Sequence, residues 1–571
     1  MSPKLSKASF LFCAILIAMP SIASGQQTLF LQHLWEVDPK LGDGDIWAIK
    51  PANRTIQFTV ESLKSPFAKD RLETAQKICL EHQNPNFRQQ EQAIDLLIER
   101  LKSGEENLQA RRAMFAAIVA LGNATHADVL WSIAKSDSAI LSLVERNLVQ
   151  WKSSAALTNW RQRLLEPNAK PTELATALEG LAVVGNSEDR IALQALIRDS
   201  RISIPNKYLA ASALGSLIVA GLNEFAQQVL DSNLEQRHLI ASQLIKSHSG
   251  VKTEMQLQQI LRDGTASAQL VAFRTMTEKM PDAALKLAKE VTTRSDPGLR
   301  TIAIKHLQKY SDDESLQTQA ALLNDRHPDV RKLVAKHLIA KAKQGQRAKV
   351  DEFVGENMNS EFWTGIEQAI VVTVALQDRR QCKTLISLLE HPRREVNMLA
   401  GWALMELAEE ADVLAGMLEH AEKMTAVLKS NNAVPITTTD QIRLSYIHQA
   451  FGKNGYQPAT EMLTKYIPKS GHQFGPVARA SAIWALGKLN KGVNNKSLLT
   501  SLYGRISDLN PLNPEDPLVR FACNLAVGEM ASLESRETIE KFNEGLPTPL
   551  GYAANWALSQ IDQAAAKKPL E

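Results

Sequence analysis

Apolar positions recur along this chain at helical spacing behind one short phrase. The phrase stands at Pro297-Gly298-Leu299-Arg300, Pro328-Asp329-Val330-Arg331, Pro476-Val477-Ala478-Arg479 and Pro517-Leu518-Val519-Arg520. Three residues past each arginine come Ala303, Val334, Ala482 and Cys523; seven past come Leu307, Leu338, Leu486 and Val527. Offsets of three and seven share one face of an α-helix. Proline in the first turn costs no hydrogen bond, because the first N–H groups have no intrahelical partner. Asp296 and Asp516 stand just before proline, where a side-chain oxygen caps the helix. The phrase predicts helix starts.

The starts are spaced as repeats. Pro297 to Pro328 is 31 residues, Pro476 to Pro517 is 41, and Pro392 falls 64 after Pro328, two steps of 32. A second marker recurs at the far end of the pattern: Trp402-Ala403-Leu404, Ala450-Phe451-Gly452, Trp484-Ala485-Leu486-Gly487, Leu525-Ala526-Val527-Gly528 and Trp556-Ala557-Leu558. Glycine here predicts a left-handed helix end. The amino-terminal half is more degenerate, yet Gly122, Gly185 and Gly221 follow small and aliphatic residues at separations of 63 and 36.

A period of 31 to 41 residues with two helices per unit predicts an all-α solenoid. The phrase and its trailing apolar positions resemble the HEAT-repeat family, in particular its short bacterial HEAT-like members. That resemblance covers residues 66–563, loosely over 66–295 and strongly over 296–563. It implies a right-handed, armadillo-type superhelix of helical hairpins, about 12 to 15 pairs at this period. It also implies that Arg300, Arg331, Arg479 and Arg520 are structural, each tied to an acid of a neighbouring unit. Pro297, Pro328, Pro476 and Pro517 are structural in the same sense.

Three stretches depart from the repeat. Residues 26–65 contain Gly42-Asp43-Gly44-Asp45 and the alternating Ile56-Gln57-Phe58-Thr59-Val60, and predict an irregular cap with one strand. The Asp/Gly run lacks the closing glutamate of a calcium loop and reads as a turn. Residues 430–440, rich in Asn, Thr and Pro, predict an exposed loop that stretches one repeat step to 47. Residues 564–571 predict a disordered tail.

The first 25 residues predict an export signal. Lys4 and Lys7 precede an apolar run from Phe10 to Met19, and small residues follow, with cleavage after Ala23 or Gly25. Retention as an anchor is the other reading, but ten apolar residues fall short of the ~20 a spanning helix needs. No later segment is apolar enough to span. The mature chain is then exported, periplasmic or secreted. Losing the leader leaves 63 basic against 62 acidic residues, too even for a dedicated nucleic-acid binder. Cys79, Cys382 and Cys523 remain, an odd number at irregular spacing, and read as buried small hydrophobes rather than a disulfide set.

Motifs for metalloprotease, nucleophile-elbow, phosphate-loop and thioredoxin chemistry are missing, so no catalytic residue, metal or cofactor is expected. His306 and His337 occupy equivalent places in consecutive repeats, but two ligands do not make a zinc site; they read as partly exposed helix residues. The strongest candidate surface is basic: Arg326, Arg331, Lys332 and Lys336, followed by Arg379, Arg380, Arg393 and Arg394. Stacking would gather these against an acidic protein or polysaccharide.

The expected function is an exported, non-catalytic scaffold that binds protein partners along a solenoid groove. The alternatives are a ligand-holding enzyme, as in HEAT-like chromophore lyases, and an acidic-polysaccharide binder using the basic patch.

Overall fold

The computed structural model describes residues 58–84, 86–430, 436–546 and 548–567. The predicted leader, most of the predicted cap with its Asp/Gly run, residues 431–435 of the predicted loop and residues 568–571 lie outside the described residues. Among the described residues the chain is all-α and contains no strand. They fall into two compact units, 58–306 and 307–567.

The first unit holds α1 (Ala68–Glu81), α2 (Gln90–Ser103), α3 (Leu108–Leu121), α4 (Ala127–Ala134), α5 (Ser138–Gln150), α6 (Leu157–Leu165), α7 (Pro171–Val184) and α8 (Arg190–Arg198). It continues with α9 (Ile204–Leu217), α10 (Asn223–Leu230), α11 (Arg237–Leu244), α12 (Val251–Asp263), α13 (Ala266–Lys279), α14 (Pro281–Val291) and α15 (Pro297–Leu307). Each odd-numbered helix from α1 to α11 packs against the next odd-numbered one, forming a row. The even-numbered helices cover one side of that row. This is the packing of stacked HEAT-like hairpins, in which each repeat's apolar face is closed by its neighbour.

The second unit repeats the scheme. It holds α16 (Asp313–Ala321), α17 (Pro328–Lys341), α18 (Arg347–Met358), α19 (Trp363–Leu376), α20 (Cys382–Leu388), α21 (Arg394–Leu407) and α22 (Ala411–Ser430). Then follow α23 (Thr438–Lys453), α24 (Thr460–Thr464), α25 (Pro476–Leu489), α26 (Lys496–Ile506), α27 (Pro517–Met530), α28 (Arg536–Lys541) and α29 (Pro549–Lys567). The row here runs α17, α19, α21, α23, α25, α27 and α29.

The proline phrase marks helix starts as expected. Pro328, Pro476 and Pro517 each open a row helix, and Pro297 opens α15. Asp296 Oδ1 accepts from the Leu299 N–H at 2.8 Å, and Asp516 Oδ1 from that of Leu518 at 2.8 Å. These bonds satisfy donors the helix itself leaves open.

The second marker has a different cause from the one expected. Gly452, Gly487 and Gly528 lie inside α23, α25 and α27, with helical backbone. A β-carbon on Gly487 would sit 2.5 Å from Ala526 Cα, and one on Gly452 or Gly528 would sit 2.9 Å from the Cα of Ala485 or Ala557. Glycine on one row helix therefore faces alanine on the next, three times in succession. At these three positions the marker sets the distance between repeats; Gly122 and Gly185 do stand directly after α3 and α7, with extended rather than left-handed backbone.

Three expectations at the edges change. Phe58 and Thr59 are non-helical and Val60–Lys64 forms a 3-10 turn, so no strand reaches the described part of the cap. Thr437 caps α23, whose first turn occupies residues 438–440 of the expected loop. Helix α22, 20 residues long, supplies much of the lengthened step instead. At the far end α29 runs to Lys567, because Ala553, Ala557 and Ile561 bury one side of it, so residues 564–567 are helical rather than disordered.

Candidate partner-binding face

The row helices carry the polar features that set the repeat, beginning with their fourth residues. Arg479 reaches back to the helix pair it belongs to: its Nε and Nη2 donate to the carbonyls of Tyr466 and Ile467, each at 3.1 Å. Its Nη1 and Nη2 also donate to Glu515, at 2.8 and 2.9 Å, in the loop that opens the next row helix. Arg520 repeats the arrangement with the carbonyl of Ile506 and with Glu544 at 2.6 Å. The predicted tie to a neighbouring unit is present at these two arginines. Arg300 and Arg331 donate to carbonyls of their own loops, Arg294 and Ser295 for the first, Asp325 for the second. Their common task is to satisfy carbonyls just before the helix that carries them.

The same position works in the first unit without a proline to mark it. Arg71, fourth in α1, donates to Glu106 at 2.6 and 3.0 Å and to the Ser65 carbonyl at 2.6 Å. Arg111, fourth in α3, pairs with Asp137 at 2.8 Å. Burial would raise the Glu106 carboxyl, but hydrogen bonds from Arg71 and Arg100 hold it below the usual range. Glu515 behaves likewise: burial opposes ionisation, and Arg479 and Arg505 outweigh it.

The basic cluster does not form one surface. Arg326, Arg331, Arg393 and Arg394 sit at the amino-terminal ends of α17 and α21. Arg379 and Arg380 follow the carboxy-terminal end of α19, one 14-residue row helix away, which is about 20 Å. Acids also claim several of them. Arg380 pairs with Asp378 and Asp351, Arg379 with Glu409, and Lys332 lies 4.0 Å from Asp329. Arg393 stacks over the Trp363 ring at 5.2 Å. Only Lys336 and Arg394 of the predicted set are exposed without an ion pair or ring partner among the described residues. Neighbours in sequence end up at opposite edges of the stack because a helix lies between them.

His306 and His337 are buried rather than partly exposed. No group of three or more His, Cys, Asp or Glu residues with metal-binding placement occurs among the described residues. Cys382 and Cys523 are buried as expected, while Cys79 is half-buried. Burial pushes all three thiols up, Cys382 to about 11. No helix among the described residues is long and apolar enough to cross a membrane.

Exposure differs between several first-unit row helices and the last row helices of the second unit. In the second, every residue is buried from Gln441 to Gly452 in α23, from Val477 to Gly487 in α25 and from Val519 to Gly528 in α27. In the first, α3, α7, α9 and α13 expose Arg112, Glu179, Ser216, Arg274 and Glu278 between their buried positions. This accessible row face is polar and spans several repeats. Residue patterning did not single it out, because each repeat contributes only one or two ordinary polar side chains.

No family model matches the chain, and no curated protein matches it by sequence. Among solved structures it is similar to importin beta crystallised in an ammonium sulfate condition, at 14% identity over 88% of this chain and 72% of that one, with a TM-score of 0.41. It is similar to Kap121p bound to Pho4p at 12% identity, over 98% and 57% of the two chains, with a TM-score of 0.44. A Kap95p structure with RanGDP aligns at 14% identity over 89% and 72%, with a TM-score of 0.42. The class of the protein rests on its own packing: it is an all-helical protein of stacked HEAT-like hairpins.

Proposed function

We propose that this chain is an exported, non-catalytic scaffold that holds protein partners along the open row face of its first unit. The observation that carries the reading is that face. Four of its row helices expose polar side chains, Arg112 on α3, Glu179 on α7, Ser216 on α9 and Arg274 on α13. Polar side chains spread over several repeats suit an extended segment of another protein better than a compact substrate. The leader at residues 1–25 supports export, with Lys4 and Lys7 ahead of the apolar run. The dispersal of the basic cluster takes away the main support for an acidic-polysaccharide binder.

Fractionation of cells expressing the tagged chain, followed by amino-terminal sequencing and mass spectrometry of crosslinked complexes, tests the proposal. A mature chain starting after Ala23 or Gly25, outside the cytosol and with reproducible protein partners, is the expected result. An unprocessed cytosolic chain, or an exported one that repeatedly yields no partner, overturns it.

A further inference from the structure

We infer that the row face of the first unit contains a carboxylate-binding pocket centred on Lys246, between α9, α11 and α13. The inference rests on the partner-binding reading and names the chemistry that face recognises. A cavity of about 410 Å³ opens there, a size suited to a small ligand or one to two side chains.

The backbone explains why the pocket exists. A β-carbon on Gly215 of α9 would lie 1.9 Å from the Gln243 carbonyl oxygen, so the two row helices meet almost backbone to backbone. Helix α11 ends at Leu244, directly past that crossing. The chain then turns and places the Lys246 stem against α9, where Nζ donates to Ser212 Oγ at 2.8 Å. Tyr208, one turn before Ser212 on α9, also lines the cavity, its oxygen accepting from Gln243 Nε2 at 3.3 Å while its own hydroxyl hydrogen is left to donate.

The charge lining the cavity is unbalanced. Lys246, Arg274 and Lys279 line the cavity against one acid, Glu278. None of the three cations forms an ion pair among the described residues. Burial lowers the Lys246 ammonium, and no neighbouring carboxylate offsets that. A half-buried ammonium with one hydroxyl partner keeps donors unused and bears a desolvation cost. An entering carboxylate satisfies both: it accepts from Nζ and from Tyr208, and Arg274 at the exposed rim supplies a forked donor. The ligand is thus a carboxylate on a slender chain, either an Asp or Glu side chain of a partner or a free dicarboxylate.

The test uses the mature full-length chain with its lysines ¹³C-dimethylated and the Lys246 resonance assigned by K246R. Succinate and an acetylated tetraglutamate peptide are titrated separately, with sodium chloride at matched ionic strength as control. A saturable Lys246 shift with at least one probe is expected, and R274Q, an exposed change, weakens it tenfold or more with an unaltered urea midpoint. K246M abolishes probe binding measured by calorimetry. Response to the peptide alone assigns the source to a protein segment, to succinate alone a small metabolite, and to both the carboxylate itself. No saturable shift with either probe, or one reproduced by sodium chloride, overturns the pocket. Failure to find a partner in cells would sink the scaffold reading while leaving this titration intact.

Discussion

Arg479 and Glu515, 36 positions apart, form a two-pronged ion pair with both side chains almost fully buried, at 4% and 2% exposure. The same guanidinium caps two carbonyls of its own repeat, so one residue fastens a helix pair and locks it to the next. Removing one partner of such a pair strands a buried charge, at a cost of about 3–5 kcal/mol. E515A is expected to lower unfolding free energy by that order in urea titration. K465A, which breaks the exposed Lys465–Glu461 pair, should cost less than about 1 kcal/mol. Equal effects of the two would show that Arg479 does not tie the repeats.

The glycine–alanine contacts make a prediction of opposite signs. G487A pushes a methyl group into the Ala526 backbone at 2.5 Å, and overpacking of this kind costs about 1–3 kcal/mol. Gly504 is also helical but has nothing within 4 Å of its added β-carbon. G504A is expected to stabilise by up to about 1 kcal/mol through helix propensity alone. Thermal unfolding of the two variants decides it; a neutral G487A would mean the row helices shift apart freely.

Acid should loosen the second unit before its carboxylates protonate. His448 is fully buried, with Nδ1 3.2 Å from both the Ala478 carbonyl oxygen and Ser481 Oγ, and Tyr466 packed edge-on at 4.7 Å. Burial pushes it down to about 3, and burial followed by the Arg443 charge pushes His420 to about 4. Each then binds fewer protons folded than unfolded, so stability is full above pH ~6.5 and falls as pH drops toward the folded values. For His448 the loss is about 1.4 kcal/mol per pH unit, roughly 2 kcal/mol at pH 5. Urea midpoints measured from pH 7.5 to 5 should decline, and H448F should flatten that decline. An unchanged slope in H448F would show that His448 is not the group being protonated.

The thiols should be slow to react. Cys382 and Cys523 are buried, Cys79 half-buried, and all three thiols are raised. Reaction follows the thiolate and access to it. Iodoacetamide at pH 7.5 is expected to modify Cys79 first, and Cys382 and Cys523 only in denaturant. Rapid native labelling of Cys523 would place it on a surface.

Much of the repeat was legible in sequence because its causes are local. Pro328 fixes a first helical turn and Val334 and Leu338 fall on one buried face, whatever else the chain does. The arginine at Arg71 was not legible, since its helix opens on alanine and its partner Glu106 lies 35 residues away. Gly487 reads as a helix end because a lone sequence shows which residue is small, not which backbone approaches it. The basic cluster failed for a geometric reason: Arg379 and Arg393 are close in sequence but lie beyond opposite ends of row helices. Lys246 gave no signal at all, because its pocket is assembled from three repeats.

The central claim is that partners lie along the accessible row face of the first unit and not on the outer helices. A photo-crosslinking benzoylphenylalanine placed at Ser216, exposed on α9 of the row, and separately at Ile191, 80% exposed on outer helix α8, addresses it in intact cells. Discrete adducts with exported proteins from position 216 and none from position 191 are predicted. Adducts from position 191 alone, or identical adducts from both, would contradict the account.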